Sequence, residues 1–180
     1  MKFILILILF ILILLLITNK ENFMNENVYT NAFRVGKDYI DLKLMENILQ
    51  PAVMFDIDDT LLYIPPNNKP TSIDPIIKLL TYCKCKGILV IIITARDIKY
   101  KNQTISQLDF FNIPYDRLYL RDPKQDDFHF KTIIKENLTK CGMTFLMSVG
   151  DNNIDVEGPA SGLKIRLPNK NEVDLKEYLI

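Results

Sequence analysis

Histidine is almost missing: the only one among 180 residues is His129. Net charge is missing as well, because 22 Lys and Arg offset 22 Asp and Glu. A neutral chain has no long-range field to draw a polyanion, so nucleic acid is not expected as a partner. One histidine and three cysteines (Cys83, Cys85 and Cys141) make a tetrahedral zinc site hard to assemble. An odd cysteine count excludes complete pairing within the chain, and small buried side chains are the expected use. Beyond the first residues there is no internal repeat and no low-complexity stretch.

Charged residues are also missing from Phe3–Ile17, fifteen consecutive Phe, Ile and Leu residues flanked by Lys2 and Lys20. As a helix this run reaches ~22 Å at ~1.5 Å per residue, short of a ~30 Å hydrocarbon core. That length suits the apolar region of a signal peptide. The following "TNKENF" lacks a small-x-small cleavage site, so an uncleaved anchor with snorkelling lysines stays open. Residues 1–18 are read as a signal peptide or signal anchor, which makes the chain membrane-anchored or secreted. Asn102-Gln103-Thr104 and Asn137-Leu138-Thr139 are glycosylation sequons that matter if the domain is luminal.

Residues 19–50 read as a polar arm followed by a first helix over Asp38–Leu49, whose Leu44, Met45, Ile48 and Leu49 share a face. From residue 51 strands and helices alternate. Ala52–Phe55 is a short apolar strand. After the Pro- and Asn-rich "YIPPNNKPTS", Asp74 can cap a helix that Gly87 stops. Ile88–Ile93 is a continuous β-branched run, apolar on both faces, and is expected at the centre of a covered parallel sheet. A helix containing Ile105, Leu108 and Phe111 follows, then strand Arg117–Leu120, helix Phe128–Cys141, and strands Thr144–Val149 and Leu163–Leu167. This order predicts an α/β, Rossmann-like open parallel five-stranded sheet with helices on both faces, preceded by the N-terminal hydrophobic helix.

In such sheets ligands bind beyond the carboxyl ends of the strands. There the sequence puts Asp56, Asp58 and Asp59 after the first strand and Thr94 and Arg96 after the second. Arg121 and Asp122 follow the third, and Asp151 and Asp155 the fourth. Clustered acids without histidine suit a hard cation with oxygen ligands, Mg²⁺ above all. Lys131 and Arg96 add positive charge for an anion at the same rim. Carboxylates, a divalent ion, a threonine hydroxyl and a lysine are the parts of phosphoryl-transfer chemistry.

On these residues the sequence resembles the haloacid dehalogenase-like (HAD) superfamily of phosphohydrolases. Asp56-Ile57-Asp58-Asp59-Thr60 matches the first motif, D-x-D-x-T. Thr94 after "ILVIII" matches the second, Lys131 the third, with Lys124 and Lys135 as alternatives, and "VGDNNID" (149–155) the fourth. "ITAR", "LYLRD" and "FK" resemble the plant and bacterial acid phosphatase branch. The resemblance implies Asp56 as nucleophile, Asp58 as general acid and base, and Thr60 as keeper of the loop between them. It implies Thr94 and Lys131 as phosphoryl-binding groups, joined by Arg96. It implies Mg²⁺ held by the Asp56 carboxylate, the Asp58 backbone carbonyl and Asp151, with Asp155 at or just outside the ligand shell. Asp59 receives no chemical role.

No interval between motifs is long enough for a large cap domain, so an open site is expected. Residues 51–180 are read as a Mg²⁺-dependent phosphatase acting on a phosphorylated small molecule or a phosphoprotein. The alternatives are a protein phosphatase of the polymerase-tail type and a non-catalytic storage or binding protein on the same fold.

Overall fold

The computed structural model describes residues 28–65, 69–124 and 129–169. The apolar run Phe3–Ile17 lies outside these residues. Among the described residues no helix is long and apolar enough to cross a membrane.

Five strands form one parallel sheet: β1 (Pro51–Phe55), β4 (Leu89–Asp97), β5 (Arg117–Arg121), β6 (Thr144–Gly150) and β7 (Leu163–Arg166), in the order β5-β4-β1-β6-β7. The centre is therefore β1, and the β-branched run of β4 lies beside it. An interior strand next to the centre has two neighbours and two covered faces, so it calls for the same residues as the central one. Alternate residues of β1 divide the core. Val53 and Phe55 face a cluster with Ile40, Ile76, Leu79, Leu80 and Leu108, and Ala52 and Met54 face another with Phe130, Leu138 and Phe145. The first cluster draws on α2 (Asp74–Cys85) and α3 (Lys101–Phe110), the second on α4 (Phe130–Lys140). Helices thus cover both faces, as the alternation predicts.

The first helix, α1, is found over 28–43 rather than Asp38–Leu49. Ala32, Gly36 and Ile40 are buried along one stripe, so residues 28–37 are packed helix and not a loose arm. Leu44, Met45 and Leu49 fall past its end and are exposed, with Met45 at 86%. Asp74 does not cap α2: Ile73 holds the N-cap position without a side-chain bond, and Asp74 accepts from the Ser72 hydroxyl at 2.6 Å. The Pro-rich loop carries a small antiparallel hairpin, β2 (Leu62–Tyr63) with β3 (Thr71–Ser72). Cys83 is buried while Cys85 and Cys141 are exposed.

Candidate active site

The carboxyl ends of β1, β4 and β6 meet the start of α4 around a cleft of about 250 Å³. Its lining includes Asp56, Asp58, Thr94, Lys131, Asp151 and Asp155.

Asp56 follows β1 directly, and its N–H donates to Val149 O at 3.0 Å, tying the end of β1 to β6. The next residues scatter the crowded charges. Ile57 turns into the core, fully buried. Asp58 turns towards Arg96, whose Nε donates at 2.9 Å to Oδ2 and whose Nη2 donates at 2.6 Å to Oδ1. Asp59 takes a left-handed φ of 53° and accepts the Ile64 N–H at 3.4 Å, closing its own turn. Asp59 also lines the cleft, but this bond is that of a turn residue and no chemical role is assigned to it. Thr60 is fully buried in the same turn.

Arg96 reaches Asp58 because β4 departs from regular pairing with β5 between Thr94 and Asp97, which re-aims the side chains at the strand end. Its Nη1 also donates to Gln107 Oε1 at 2.6 Å on α3. The guanidinium expected to hold a substrate anion thus holds the Asp58 carboxylate. Thr94 is 1% exposed and lines the cleft. Arg121 sits at the end of β5, opposite Asp97, outside the cleft lining. His129 is exposed just before α4.

Lys131 is the lysine of the cleft. It is 2% exposed and donates to Asp56 Oδ1 at 2.7 Å and to Asp155 Oδ1 at 2.5 Å. Lys124 is exposed elsewhere. Lys135, one turn along α4, is fully buried and donates to Asp155 O at 3.0 Å, Glu157 O at 2.8 Å and Ser161 Oγ at 2.7 Å. All three ammonium protons are satisfied on the segment after β6. Burial draws Lys135 down to about 8, against the opposing charge of Asp155. In the sequence it reads as one more helix lysine, since only the fold shows what lies opposite.

Asp151 and Asp155 come from the turn after β6. Asp155 Oδ2 accepts the Asn152 N–H at 2.8 Å, which fixes the turn. Gly150 permits the close approach: a Cβ there would meet Asp155 Cβ at 2.2 Å. Asp151 Oδ2 accepts from Asn152 Nδ2 at 3.0 Å and Asn169 Nδ2 at 2.7 Å. Asp151 Oδ1 is buried with no hydrogen-bond partner. Asn169 carries no sequence signal of its own and reaches Asp151 only because the chain returns from β7.

Carboxylate oxygens of Asp56, Asp151 and Asp155 lie within 4.8 Å of one another. Burial pushes Asp56 well up, with Lys131 opposing and the Asp155 charge adding to the rise. Burial and then the Asp155 charge raise Asp151 to about 6. Lys131 is itself held up by Asp56 and Asp155 against its own burial. Three clustered carboxyls, two of them on the Lys131 ammonium and the third, Asp151, with an unpartnered oxygen, fit a hard divalent cation: oxygen donors, excess negative charge and one ligand atom not yet used. The Asp58 carboxylate, committed to Arg96, is not among these donors.

A model of the HAD superfamily, subfamily IIIB (acid phosphatase), matches residues 66–172. That span begins just after Asp56–Thr60 and includes Thr94, Lys131, Asp151 and Asp155. No curated protein matches the sequence. Among solved structures, the class C acid phosphatase from Bacillus anthracis superposes with a TM-score of 0.70 at 18% identity, over 82% of this chain and 78% of that one. A chain of the Pnkp1/Rnl/Hen1 complex superposes with a TM-score of 0.60 at 21% identity, over 69% of this chain and 48% of that one. At these identities the structures share the fold. The family match, the sheet order and the acid-lysine cluster at its carboxyl rim agree, and the chain belongs to the HAD superfamily, subfamily IIIB acid phosphatases, as a phosphomonoester hydrolase.

Proposed function

We propose that the protein hydrolyses phosphomonoesters in a Mg²⁺-dependent reaction through a phosphorylated Asp56. The single observation that carries this reading is the convergence of Asp56, Asp151 and Asp155 around Lys131 in a cleft that Asp58 and Thr94 also line. The cation would be held by the Asp56, Asp151 and Asp155 carboxylates with the Asp58 backbone carbonyl. When bound it neutralises charge on the carboxylates and the phosphoryl oxygens.

The residues divide the reaction. An Asp56 carboxylate oxygen attacks phosphorus while the bond to the ester oxygen breaks. Asp58 gives its proton to that departing oxygen, which leaves as an alcohol. Asp58, now a carboxylate, takes a proton from water as the water oxygen attacks phosphorus. The bond to Asp56 breaks and inorganic phosphate leaves. Lys131 steadies Asp56 through its 2.7 Å bond and offsets negative charge at the phosphoryl group. Thr94 donates its hydroxyl to a phosphoryl oxygen. Arg96 positions the Asp58 side chain and pairs with it fully once Asp58 has given up its proton, which stabilises the carboxylate that then activates water.

The fifteen-residue apolar run supports a second part of the proposal, that residues 1–18 are a signal peptide or anchor and that residues 51–180 are the catalytic unit of a membrane-anchored or secreted enzyme. Asn102 and Asn137 are exposed on α3 and α4, open to a glycan if the domain is luminal. N-terminal sequencing of the mature chain and a glycosidase shift test this part. An intact Met1 with no shift in a glycosylating host overturns the cleaved, luminal form.

For the chemistry, the test is turnover of p-nitrophenyl phosphate with Mg²⁺ and with EDTA, in the parent and in Asp56→Asn. The expected result is activity in the parent with Mg²⁺ alone and none in the variant, with circular dichroism unchanged. Undiminished turnover by Asp56→Asn removes the proposed nucleophile.

A further inference from the structure

Asp151 presents its two carboxylate oxygens unequally. Oδ2 accepts from Asn152 Nδ2 at 3.0 Å and from Asn169 Nδ2 at 2.7 Å, while Oδ1 is buried with no hydrogen-bond partner. A carboxylate oxygen has about two lone-pair sites, so two donors fill Oδ2. The residue behind this inequality comes from outside the four motifs. The Leu167 N–H donates to Gly150 O at 2.8 Å, which lays the chain leaving β7 against the end of β6. Two residues on, Asn169 stands in the cleft lining beside Asp151. Asn169 Nδ2 also donates to Asn152 Oδ1 at 3.0 Å, which turns the Asn152 amide nitrogen towards Asp151. Both donors on Oδ2 therefore depend on Asn169. We propose that Asn169 is a specificity-determining residue for the cation: by filling Oδ2 it limits Asp151 to one ligand oxygen, and so selects Mg²⁺ over Ca²⁺. The assignment rests on the reading of Asp56, Asp151 and Asp155 as the cation site.

The selection follows from coordination chemistry. Mg²⁺ demands a near-ideal octahedron of oxygens at ~2.0–2.1 Å, whereas Ca²⁺ accepts ~6–8 oxygens at ~2.3–2.6 Å and can take both oxygens of one carboxylate. Those two oxygens lie too close together to fill two corners of an octahedron. A carboxylate restricted to one oxygen costs Mg²⁺ nothing and deprives Ca²⁺ of a ligand. The other two acids are restricted by a charge: Lys131 Nζ holds Oδ1 of Asp56 and Oδ1 of Asp155, and the Asn152 N–H holds Asp155 Oδ2. Asp151 is restricted by neutral amides instead. Asn169 thus closes one oxygen without placing a positive charge that would repel the cation from the other.

Thermal unfolding of the full chain tests the assignment. Titration with MgCl₂, and separately with CaCl₂, after removal of metal with EDTA gives a dissociation constant for each ion without any turnover. The parent is expected to bind Mg²⁺ more tightly than Ca²⁺. In Asn169→Ala the Mg²⁺ affinity falls by about ten- to a hundredfold, the range for losing a residue that orients a metal ligand. Ca²⁺ regains the second Asp151 oxygen and loses less, so the preference for Mg²⁺ shrinks by about tenfold. Asn152→Ala, which removes the other donor, shifts the preference in the same direction. General damage to the fold lowers the melting temperature in EDTA and weakens both ions alike. A preference that Asn169→Ala leaves unchanged therefore overturns the assignment and leaves the cation site standing, as does a parent that binds Ca²⁺ as tightly as Mg²⁺. A parent stabilised by neither ion overturns the cation site itself.

Discussion

Replacing Asp151 by Asn should stabilise the protein without metal and destabilise it, relative to the parent, with metal. The Asp151 side chain ordinarily ionises near 3.8, and burial first, then the Asp155 charge, hold it up to about 6. Between those values the unfolded chain has lost the proton and the folded chain still binds it, so stability falls as pH rises through that window. Above it the folded protein carries the whole cost of an ionised buried carboxylate, about 3 kcal/mol. Asparagine removes the cost. It also puts an amide nitrogen where the unpartnered Oδ1 now lies, which gives back about 1–2 kcal/mol. The net gain at pH 7.5 in EDTA is about 1–2 kcal/mol, or a melting temperature higher by about 2–8 °C. Near pH 4 the gain disappears, since the parent carboxyl is then protonated in the folded state. Saturating Mg²⁺ reverses the order: at about a hundred times the dissociation constant a ligand adds about 2.7 kcal/mol to the parent, and the variant has lost one of three carboxylate donors. Thermal unfolding at both pH values, with EDTA and with Mg²⁺, reads all four conditions. A variant less stable than the parent at pH 7.5 in EDTA refutes the charge argument, and an equal Mg²⁺ shift in both proteins removes Asp151 from the cation site.

Two further predictions concern groups away from the reacting atoms. Lys135→Met strips Asp155 O, Glu157 O and Ser161 Oγ of their shared donor and should cost about 2–4 kcal/mol, read as a melting temperature lower by about 4–16 °C; a change under about 2 °C means the ammonium is dispensable. Asp116 is pushed up by partial burial but held below the ordinary carboxylate range by Lys84 and by the Val90 N–H at 2.8 Å. Its contribution is therefore present above ~pH 4 and lost as pH falls through its depressed folded value. Asp116→Ala should cost about 1 kcal/mol at pH 7 in urea unfolding and progressively less as pH falls below ~4; a difference that does not shrink with falling pH removes the carboxylate's charge from the account.

The sheet and the site were legible for different reasons. Strands β1, β4 and β6 read as strands because a covered parallel sheet wants apolar runs, and "AVMF", "ILVIII" and "FLMSV", the last interrupted by Ser148, supply them. The polar clusters read as one rim because each follows such a run. Strand order was less legible: nothing in a β-branched run says whether it lies at the centre or next to it. The early start of α1 was hidden by its own stripe. Gly36 belongs to the buried face because a Cβ there would meet Leu79 Cδ2 at 2.7 Å, yet in a sequence a glycine argues against helix. Arg96 was legible as an anion partner but not as to which anion, because a guanidinium suits a carboxylate as well as a phosphate. Lys135 and Asn169 had no signal, since their partners lie 20 and 18 residues away along the chain.

The three carboxylates at the end of β1 look improbable in the sequence and ordinary in space, because the chain gives each a different answer. Asp58 is matched by Arg96, and Asp59 turns back on its own loop. Only Asp56 enters a group that is not balanced. There it meets Asp151 and Asp155, and among the described residues the ammonium paired with Asp56 and Asp155 is Lys131. Among the described residues, the three carboxylates outnumber the one ammonium they share, in a place where burial resists ionisation of Asp56 and Asp151. A buried charge excess is costly unless paired. Two outcomes can relieve it: protons on the carboxyls, which would silence Asp56 as a nucleophile, or a bound divalent cation. Attack through Asp56, as proposed above, is compatible with the second and not with the first, so the electrostatics of this trio support the proposed divalent cation alongside the likeness to a family.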